Sequence, residues 1–260
     1  MHKRAQEGCE FIVKIFEVIK LYRKKGIVME YYPLGSLCDV NKYVPLSPSL
    51  ICRIHKEISE AIRHLHKGVT EENNKTYRVT HNDIKPQNVL ISGDFHAYLS
   101  DFGGSTMATN TYCRSSDRKQ QSDDVWAAET SYYKAPERQK NRELVPSTKS
   151  DVYSLGVCLH ESLCRGNIIR NSSFFDQLKS NEYKTVAAVY KQLKELEEEK
   201  SRNPVEVEVL YYLLKVLLSC CTEDYDNRPG VTEIFNRFND LYKKYELEKL
   251  CESKVKQLIS

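Results

Sequence analysis

The sequence predicts an α+β domain in which a small amount of strand precedes a larger amount of helix. Two runs rich in β-branched and aromatic residues lie near the start of the chain, at 11–19 and 27–32. Apolar residues then recur at helical spacing over 47–68, and again over most of the chain after residue 149. Segregation of strands and helices along a chain is typical of α+β folds.

The two N-terminal runs are predicted to pair as antiparallel strands. A short turn that ends at Gly26 separates them, and Pro33 follows the second run. Glycine favours turns, and proline cannot donate a hydrogen bond to a sheet ladder. We therefore expect a β-hairpin at the start of the chain.

A long amphipathic helix is predicted between Ser47 and Gly68. Pro48 follows Ser47, an arrangement that favours the first turn of a helix, and glycine commonly ends a helix. Three histidines on this helix are predicted to be surface or boundary residues: His55, His64 and His66.

The rest of the chain contains a small hairpin, a long loop and several helices. Two short apolar runs, 89–91 and 97–99, predict a hairpin around Gly93. Residues 103–134 lack periodicity and are rich in Ser, Thr, Asp and Gln, so they predict a long loop, and such loops are commonly functional or disordered. Beyond residue 149 the pattern predicts four helices: 151–164, 183–200, 207–221 and 231–250.

The composition excludes several classes of protein. The 39 Lys and Arg residues nearly balance the 36 Asp and Glu residues, so we expect no nucleic-acid partner and no attraction to a membrane surface. The longest apolar run, 209–221, contains Lys215 and is too short to cross a bilayer. The nine cysteines form no CxxC pair and no signal peptide is recognisable, which favours reduced thiols in an intracellular, cytoplasmic protein.

The residues with the clearest chemistry lie at 81–88 and 101–103. The first stretch reads His-Asn-Asp-Ile-Lys-Pro-Gln-Asn and the second reads Asp-Phe-Gly. In this order and spacing they resemble the catalytic loop and the metal-binding motif of eukaryotic-type serine/threonine protein kinases. Phosphoryl transfer needs metal ions to neutralise the phosphates, a carboxylate to orient the attacking hydroxyl, and a nearby cation.

The resemblance implies a role for each of these residues. Asp83 would be the catalytic base, and Lys85 would neutralise charge on the γ-phosphate of ATP. Asn88 and Asp101 would hold Mg²⁺, which prefers oxygen ligands and completes its shell with water and substrate phosphates.

Later motifs extend the resemblance to about residues 9 to 240. Residues 130–137 resemble the end of an activation segment. Residues 151–156 resemble the start of a central buried helix, which implies that Asp151 accepts hydrogen bonds from backbone amides of the catalytic loop. The Asp-Asn-Arg-Pro sequence at 226–229 implies a buried ion pair between Arg228 and Glu137.

Residues 27–37 resemble the hinge between the two lobes of the family. Met29 would be the gatekeeper beside the adenine, and the backbone of Glu30 and Tyr32 would face the adenine edge. Judged by its alternation alone, the same stretch also fits a plain buried strand.

The resemblance implies a protein kinase-like α+β fold in three parts: a remnant of the small β-rich N-lobe and hinge at 1–32, a complete, mainly helical C-lobe at 33–245, and a helical tail at 246–260. The sequence contains neither the glycine-rich loop nor the strand lysine that hold the ATP phosphates in the family. We therefore expect an N-terminally truncated or a degenerate domain. The polar stretch at 70–80 looks like an insertion, and Asn82 replaces the arginine that in many members gathers a phosphorylated residue.

These observations favour transfer of the ATP γ-phosphate to Ser or Thr hydroxyls of protein substrates, with Lys85 and Thr130 favouring this class over tyrosine kinases. Two alternatives remain open. Small-molecule phosphotransferases share the loop pattern but generally lack motifs like those at 135–137 and 151–156. A pseudokinase that acts as a binding scaffold would explain the missing phosphate clamp, but not the intact catalytic loop. The pattern leaves the oligomeric state open.

Overall fold

The computed structural model describes residues 2–22, 24–70, 76–108, 133–140, 147–165 and 203–259. Within them a small N-terminal hairpin precedes a helical body that carries two further small sheets. This arrangement confirms the predicted α+β class. The predicted helix at 183–200, and the part of the predicted loop at 109–132, lie outside the described residues.

The predicted N-terminal hairpin is present. Strand β1, Ile15–Leu21, pairs antiparallel with β2, Lys24–Met29. Backbone hydrogen bonds join the segment before β1 to the body, since Val13 donates to the Leu99 carbonyl (3.0 Å) and Leu99 donates to the Phe11 carbonyl (2.9 Å). A short helix that the sequence does not predict, α1 (His2–Ala5), precedes the hairpin.

A second helix missed by the sequence pattern, α2 (Leu37–Tyr43), follows the hinge. It begins with a capping box, in which the side chains of Ser36 and Asp39 each accept a hydrogen bond from the backbone N–H of the other residue. Two turns are too short for helical periodicity to be recognised, so this cap is the local signal that places α2.

Helix α3, Pro48–Lys67, confirms the predicted long helix, and Ser47 caps its N-terminus. The prediction of a surface or boundary position is wrong for His55, which is completely buried. Its Nδ1 lies 2.9 Å from the Ile51 carbonyl oxygen. Burial lowers the pKa of His55 to about 4, so this imidazole is neutral at physiological pH.

Two small sheets flank α3. Strands β5 (Val89–Ile91) and β6 (Ala97–Leu99) form the predicted hairpin. The other sheet has the strand order β3-β4-β7, and two expectations from the sequence are wrong there. The stretch interpreted as a polar insertion ends in β4 (Thr76–Thr80), which pairs with β3 (Val69–Thr70), and the predicted loop contains β7 (Thr106–Ala108), which also pairs with β4. Pairing with a distant strand stabilises β7, and a local sequence pattern cannot reveal it.

The helical body is built around α3. Five further helices are described: α4 (Pro136–Lys140), α5 (Thr148–Arg165), α6 (Pro204–Cys220), α7 (Val231–Lys244) and α8 (Leu247–Ile259). Helix α3 contacts α5, α6, α7 and α8, and their buried apolar side chains form one continuous core. The predicted helices at 151–164 and 207–221 are confirmed, and both begin earlier than predicted.

The predicted single helix at 231–250 is wrong, because α7 ends at Lys244 and a new helix begins at Leu247. Between them Glu246 adopts a left-handed backbone conformation (φ 47°), which ends the first helix. The turn lets α8 bury Leu247 and Cys251 in the core and contact α3. The division of the chain at 32/33 and 245/246 stays a prediction.

Candidate active site

The backbone of the loop at 81–88 is held by a buried carboxylate on α5. The two oxygens of Asp151 accept hydrogen bonds from the backbone N–H groups of His81 and Asn82, both at 2.9 Å. His66, on the last turn of α3, places its Nε2 2.8 Å from the same carboxylate. Burial alone raises the pKa of a carboxyl group, but the hydrogen bonds from His66 and Asn82 lower the pKa of Asp151 below its usual value. The predicted contact between Asp151 and the loop amides is confirmed.

The predicted base and its neighbours form one cluster in this loop. The Lys85 Nζ lies 2.7 Å from Asp83 Oδ2, and the Asn88 Nδ2 lies 2.9 Å from the same oxygen. The Asn88 amide also donates to the backbone carbonyl of Asp83 (2.8 Å). Asp83 is only 7% exposed. Two donors on one oxygen hold the Asp83 carboxylate in a fixed orientation.

His81 joins this loop to the segment that ends at Asp101. Its Nδ1 accepts a hydrogen bond from the backbone N–H of Asp83 (3.3 Å), and its Nε2 therefore donates to the Ser100 carbonyl (2.9 Å). Burial lowers the pKa of His81, although the nearby Asp151 carboxylate raises it. A neutral imidazole with one defined tautomer follows from both the geometry and the burial.

Asp101 lies next to this cluster at the start of a short 3-10 turn, Phe102–Gly104. Its backbone is left-handed (φ 58°), and its side chain accepts a hydrogen bond from the Gly103 N–H (3.1 Å). Phe102 is buried edge-on against His81, with ring centroids 5.0 Å apart. The carboxylate of Asp101 is exposed to solvent. The turn thus buries the Phe102 ring against His81 and leaves the Asp101 carboxylate accessible to solvent.

The predicted metal ligands fit a hard cation. Because the Asn88 nitrogen is used by Asp83, the amide oxygen is the atom left to bind a metal ion, and Asp101 offers an exposed carboxylate. The described part of the chain contains no cluster of three or more His, Cys, Asp or Glu side chains that would hold a metal without help. A pair of oxygen ligands suits an ion such as Mg²⁺ that takes its remaining ligands from phosphates and water.

The stretch predicted as the hinge, 27–37, begins in the last residues of β2 and continues beyond the strand. Met29 is 44% exposed, in contrast to the buried strand that alternation alone allowed. The Glu30 N–H donates to the Lys14 carbonyl (3.0 Å), so the Glu30 carbonyl is the backbone group left to meet a ligand. Tyr32 is buried, with its ring 4.8 Å from that of Tyr98, and this packing anchors the hinge backbone.

An ion pair with a fully buried arginine joins Arg228 to Glu137. The two terminal nitrogens of the Arg228 guanidinium donate to the Glu137 carboxylate, at 2.8 and 3.0 Å, which confirms the predicted pair. Arg228 also donates to the carbonyls of Lys149 (2.9 Å) and Thr222 (3.0 Å). Burial raises the pKa of Glu137, but the stronger effect of the Arg228 hydrogen bonds and charge lowers it overall. The pair ties α4 to α5 and to the segment before α7.

Sequence reasoning missed three residues at this site. His66 occupies the boundary position that was expected, but its contact with Asp151, at 2.8 Å, was not predicted. Thr80 and Thr106 share a hydrogen bond (2.7 Å) beside the loop, which no local pattern indicated. The one available signal was Asp151 itself, because a buried acid requires partners, although the sequence does not tell which ones.

Comparison with known proteins identifies the class of this domain. The chain matches the protein kinase domain over residues 1–238, and it therefore belongs to the protein kinase family. The fold is accordingly a kinase domain with a small sheet-containing N-lobe and a helical C-lobe. Protein kinase domains use ATP and a divalent metal ion, and they act on proteins. The match favours this class over the small-molecule phosphotransferases.

Several curated proteins are similar to the chain. Human receptor-interacting serine/threonine-protein kinase 1 is 34% identical over 57% of this chain and 22% of that protein. The Arabidopsis thaliana serine/threonine-protein kinase-like protein CCR4 is 26% identical over 91% of this chain and 32% of its own length. The Arabidopsis putative kinase-like protein TMKL1 is 29% identical over 84% of this chain and 31% of its own length. The chain thus spans a third or less of the length of these relatives.

Among the residues that the structure describes, no helix is both long enough and apolar enough to cross a membrane.

Proposed function

We propose that this chain carries the catalytic lobe of a serine/threonine protein kinase, which transfers the γ-phosphate of ATP to Ser or Thr hydroxyls of protein substrates. The observation that carries the proposal is the cluster of Asp83, Lys85 and Asn88, whose backbone is fixed by Asp151 next to Asp101. The Ser/Thr class is supported by Lys85 and by the similarity of the chain to proteins named as serine/threonine kinases.

Each residue has a defined task in this proposal. Asp83 accepts the hydrogen bond of the substrate hydroxyl and orients its oxygen towards the phosphate. Lys85, whose Nζ lies 2.7 Å from Asp83, places a positive charge beside the transferred group. The Asn88 amide oxygen and the Asp101 carboxylate hold Mg²⁺, which neutralises phosphate charge when bound. The backbone of Glu30 and Tyr32 would face the adenine of ATP, next to Met29.

A pseudokinase that acts as a binding scaffold is the second candidate. It is favoured by one observation, the lack of a glycine-rich loop and a strand lysine in the 260 residues. In complete kinases those elements cover the phosphates, so ATP binding relies less on the catalytic lobe. A scaffold needs neither turnover nor Mg²⁺, and this distinction allows a direct test.

The test measures ATP affinity of the chain by calorimetry, with Mg²⁺ and with EDTA. We expect weak binding that Mg²⁺ strengthens, and we expect Asp101→Asn to abolish the Mg²⁺-dependent part. Asp240→Asn is the matched control, because Asp240 is an exposed carboxylate on α7, outside the site. Equal affinity with Mg²⁺ and EDTA in the parent chain, or an unchanged Mg²⁺ effect in Asp101→Asn, contradicts the metal site and favours the scaffold.

A further inference from the structure

The side chain of Asn82 connects the two segments that carry the acidic residues of the site. Asn82 is 5% exposed, and its Nδ2 donates to the Gly104 carbonyl (2.8 Å) and to the Thr106 hydroxyl (3.2 Å). A carbonyl oxygen can only accept, so the amide nitrogen must be the atom that faces Gly104. Asn82 directly precedes Asp83, and Gly104 ends the turn that follows Asp101.

Two further side-chain contacts join the same segments. Thr106 lies opposite Thr80 in the β4–β7 ladder, and the two hydroxyls are 2.7 Å apart. The Ser105 hydroxyl donates to the His81 carbonyl (3.3 Å). Residues 80–82 and 104–106 are therefore fastened together by backbone and side-chain hydrogen bonds, all of them between neutral groups.

The backbone at this point also favours asparagine. Asn82 has a φ of 68°, in the left-handed region that asparagine adopts more readily than most residues other than glycine. Such a conformation persists where the surroundings over-determine it, and here Asp151 holds the Asn82 N–H at 2.9 Å. Asparagine thus meets two demands, a left-handed backbone and a side-chain donor directed at Gly104.

We propose that Asn82 is a positioning residue, which sets the separation of Asp83 and Asp101 by fastening the Phe102–Gly104 turn to the catalytic loop. The inference rests on the proposed function for the roles of those two acids. Since the fastening uses amide, hydroxyl and carbonyl groups, it acts without a charged partner or a phosphate. It is consequently insensitive to ionic strength, which screens interactions between charges.

Two measurements on the full chain test the proposal. Hydrogen exchange of the β7 amides reports whether the segments are fastened, and it needs no nucleotide. ATP affinity measured with Mg²⁺ and with EDTA reports whether the fastening positions the metal ligand. Substitution of a merely structural residue would lower the ATP affinity in Mg²⁺ and in EDTA together. Substitution of a positioning residue lowers only the Mg²⁺-dependent part of the affinity.

Substitutions at Asn82 separate the backbone role from the side-chain role. Asn82→Gly keeps the left-handed backbone without a donor, and Asn82→Asp keeps the shape but replaces the donor by an acceptor. Thr106→Val removes the hydroxyl while it keeps a β-branched strand residue. Thr76→Val is the control, because Thr76 makes the same kind of hydroxyl contact with Thr70 (3.1 Å) at the exposed end of the same sheet.

We expect both Asn82 variants to exchange the β7 amides about ten-fold faster, with a smaller effect in Thr106→Val, since a buried hydrogen bond is lost in each. The Mg²⁺-dependent gain in ATP affinity should fall about five- to thirty-fold in the Asn82 variants, while the affinity in EDTA is unchanged. Thr76→Val should match the parent in both measurements.

Three outcomes decide the matter. Parent-like exchange in both Asn82 variants shows that the amide fastens nothing and overturns the inference. Faster exchange with an unchanged Mg²⁺ effect makes the contact purely structural, which also overturns it but leaves the proposed function intact. If ATP affinity of the parent chain does not depend on Mg²⁺, the proposed function fails, and so does the role of Asn82 in positioning the metal ligand. The exchange rates of the β7 amides then still show whether Asn82 holds the two segments together.

Discussion

Removal of the Arg228 guanidinium is expected to destabilise the domain strongly. The Arg228 side chain is fully buried, and it makes two hydrogen bonds to Glu137 and further ones to the Lys149 and Thr222 carbonyls. Loss of one partner from a buried pair costs about 3–5 kcal/mol, because the other charge is left uncompensated. The Glu137 side chain is 17% exposed, so water relieves part of its charge, and we expect the lower end of this range.

The assay is thermal unfolding of Arg228→Ala followed by circular dichroism. A loss of about 3 kcal/mol corresponds to a decrease of about 6–12 °C in Tm for a domain of this size. Arg237→Ala is the control, because Arg237 pairs with Glu233 at 2.6 Å on an exposed helix face. Exposed pairs contribute about 0–1 kcal/mol, so the control should shift Tm by at most about 4 °C.

The difference in Tm between the parent and Arg228→Ala should depend on pH through the protonation of Glu137. Its pKa is lowered from 4.5 in the folded protein, so the stabilisation by the pair is complete above that value and is lost as the pH falls through the folded pKa. The Tm difference between parent and Arg228→Ala should therefore be constant near neutral pH and decrease below pH 4.5. If Arg228→Ala melts like the Arg237→Ala control at pH 7, the reasoning from burial and geometry is refuted.

Three other predictions concern the site. Purified residues 1–260 should show little kinase activity, because the 260 residues lack a glycine-rich loop and a strand lysine, and robust activity would contradict this dependence. Activity of the intact protein should not depend on phosphorylation of the loop, because Asn82 offers no charge to a phosphate. A ten-fold or larger loss on phosphatase treatment, restored by rephosphorylation, would show this to be wrong. The His81 ring should be neutral near pH 7 with its proton on Nε2, because Nδ1 accepts the Asp83 N–H and burial lowers the pKa of His81, and ¹⁵N NMR that shows a doubly protonated ring would contradict the assigned tautomer.

Local signals explain what the sequence predicts well. The Ser47-Pro48 start of α3, the hairpin around Gly93 and the motif residues at 81–88 are all encoded within a few neighbouring positions. The roles assigned to Asp83, Lys85, Asn88 and Asp101 depend on this motif, and they remain predictions.

The features that sequence reasoning missed depend on distant contacts. Strand β7 exists because it pairs with β4, and His66 is bound to Asp151, a residue 85 positions away in the sequence. The break at Glu246 is decided by the burial of α8 against α3, which overrides the helical propensity of the local sequence. Interactions of this kind join residues that are far apart in the sequence, so a local sequence pattern does not indicate them.

The most direct test of the central claim is phosphoryl transfer from Mg²⁺-ATP to Ser or Thr of a protein substrate by the intact protein, compared between Asp83→Asn and Asp240→Asn. We expect Asp83→Asn to keep its fold and Mg²⁺-dependent ATP affinity while turnover falls about a hundred- to ten-thousand-fold, because the hydroxyl loses its acceptor. Asp240→Asn should match the parent. Unchanged turnover in Asp83→Asn would remove Asp83 from the catalytic role, and no transfer by the parent would contradict the kinase activity itself.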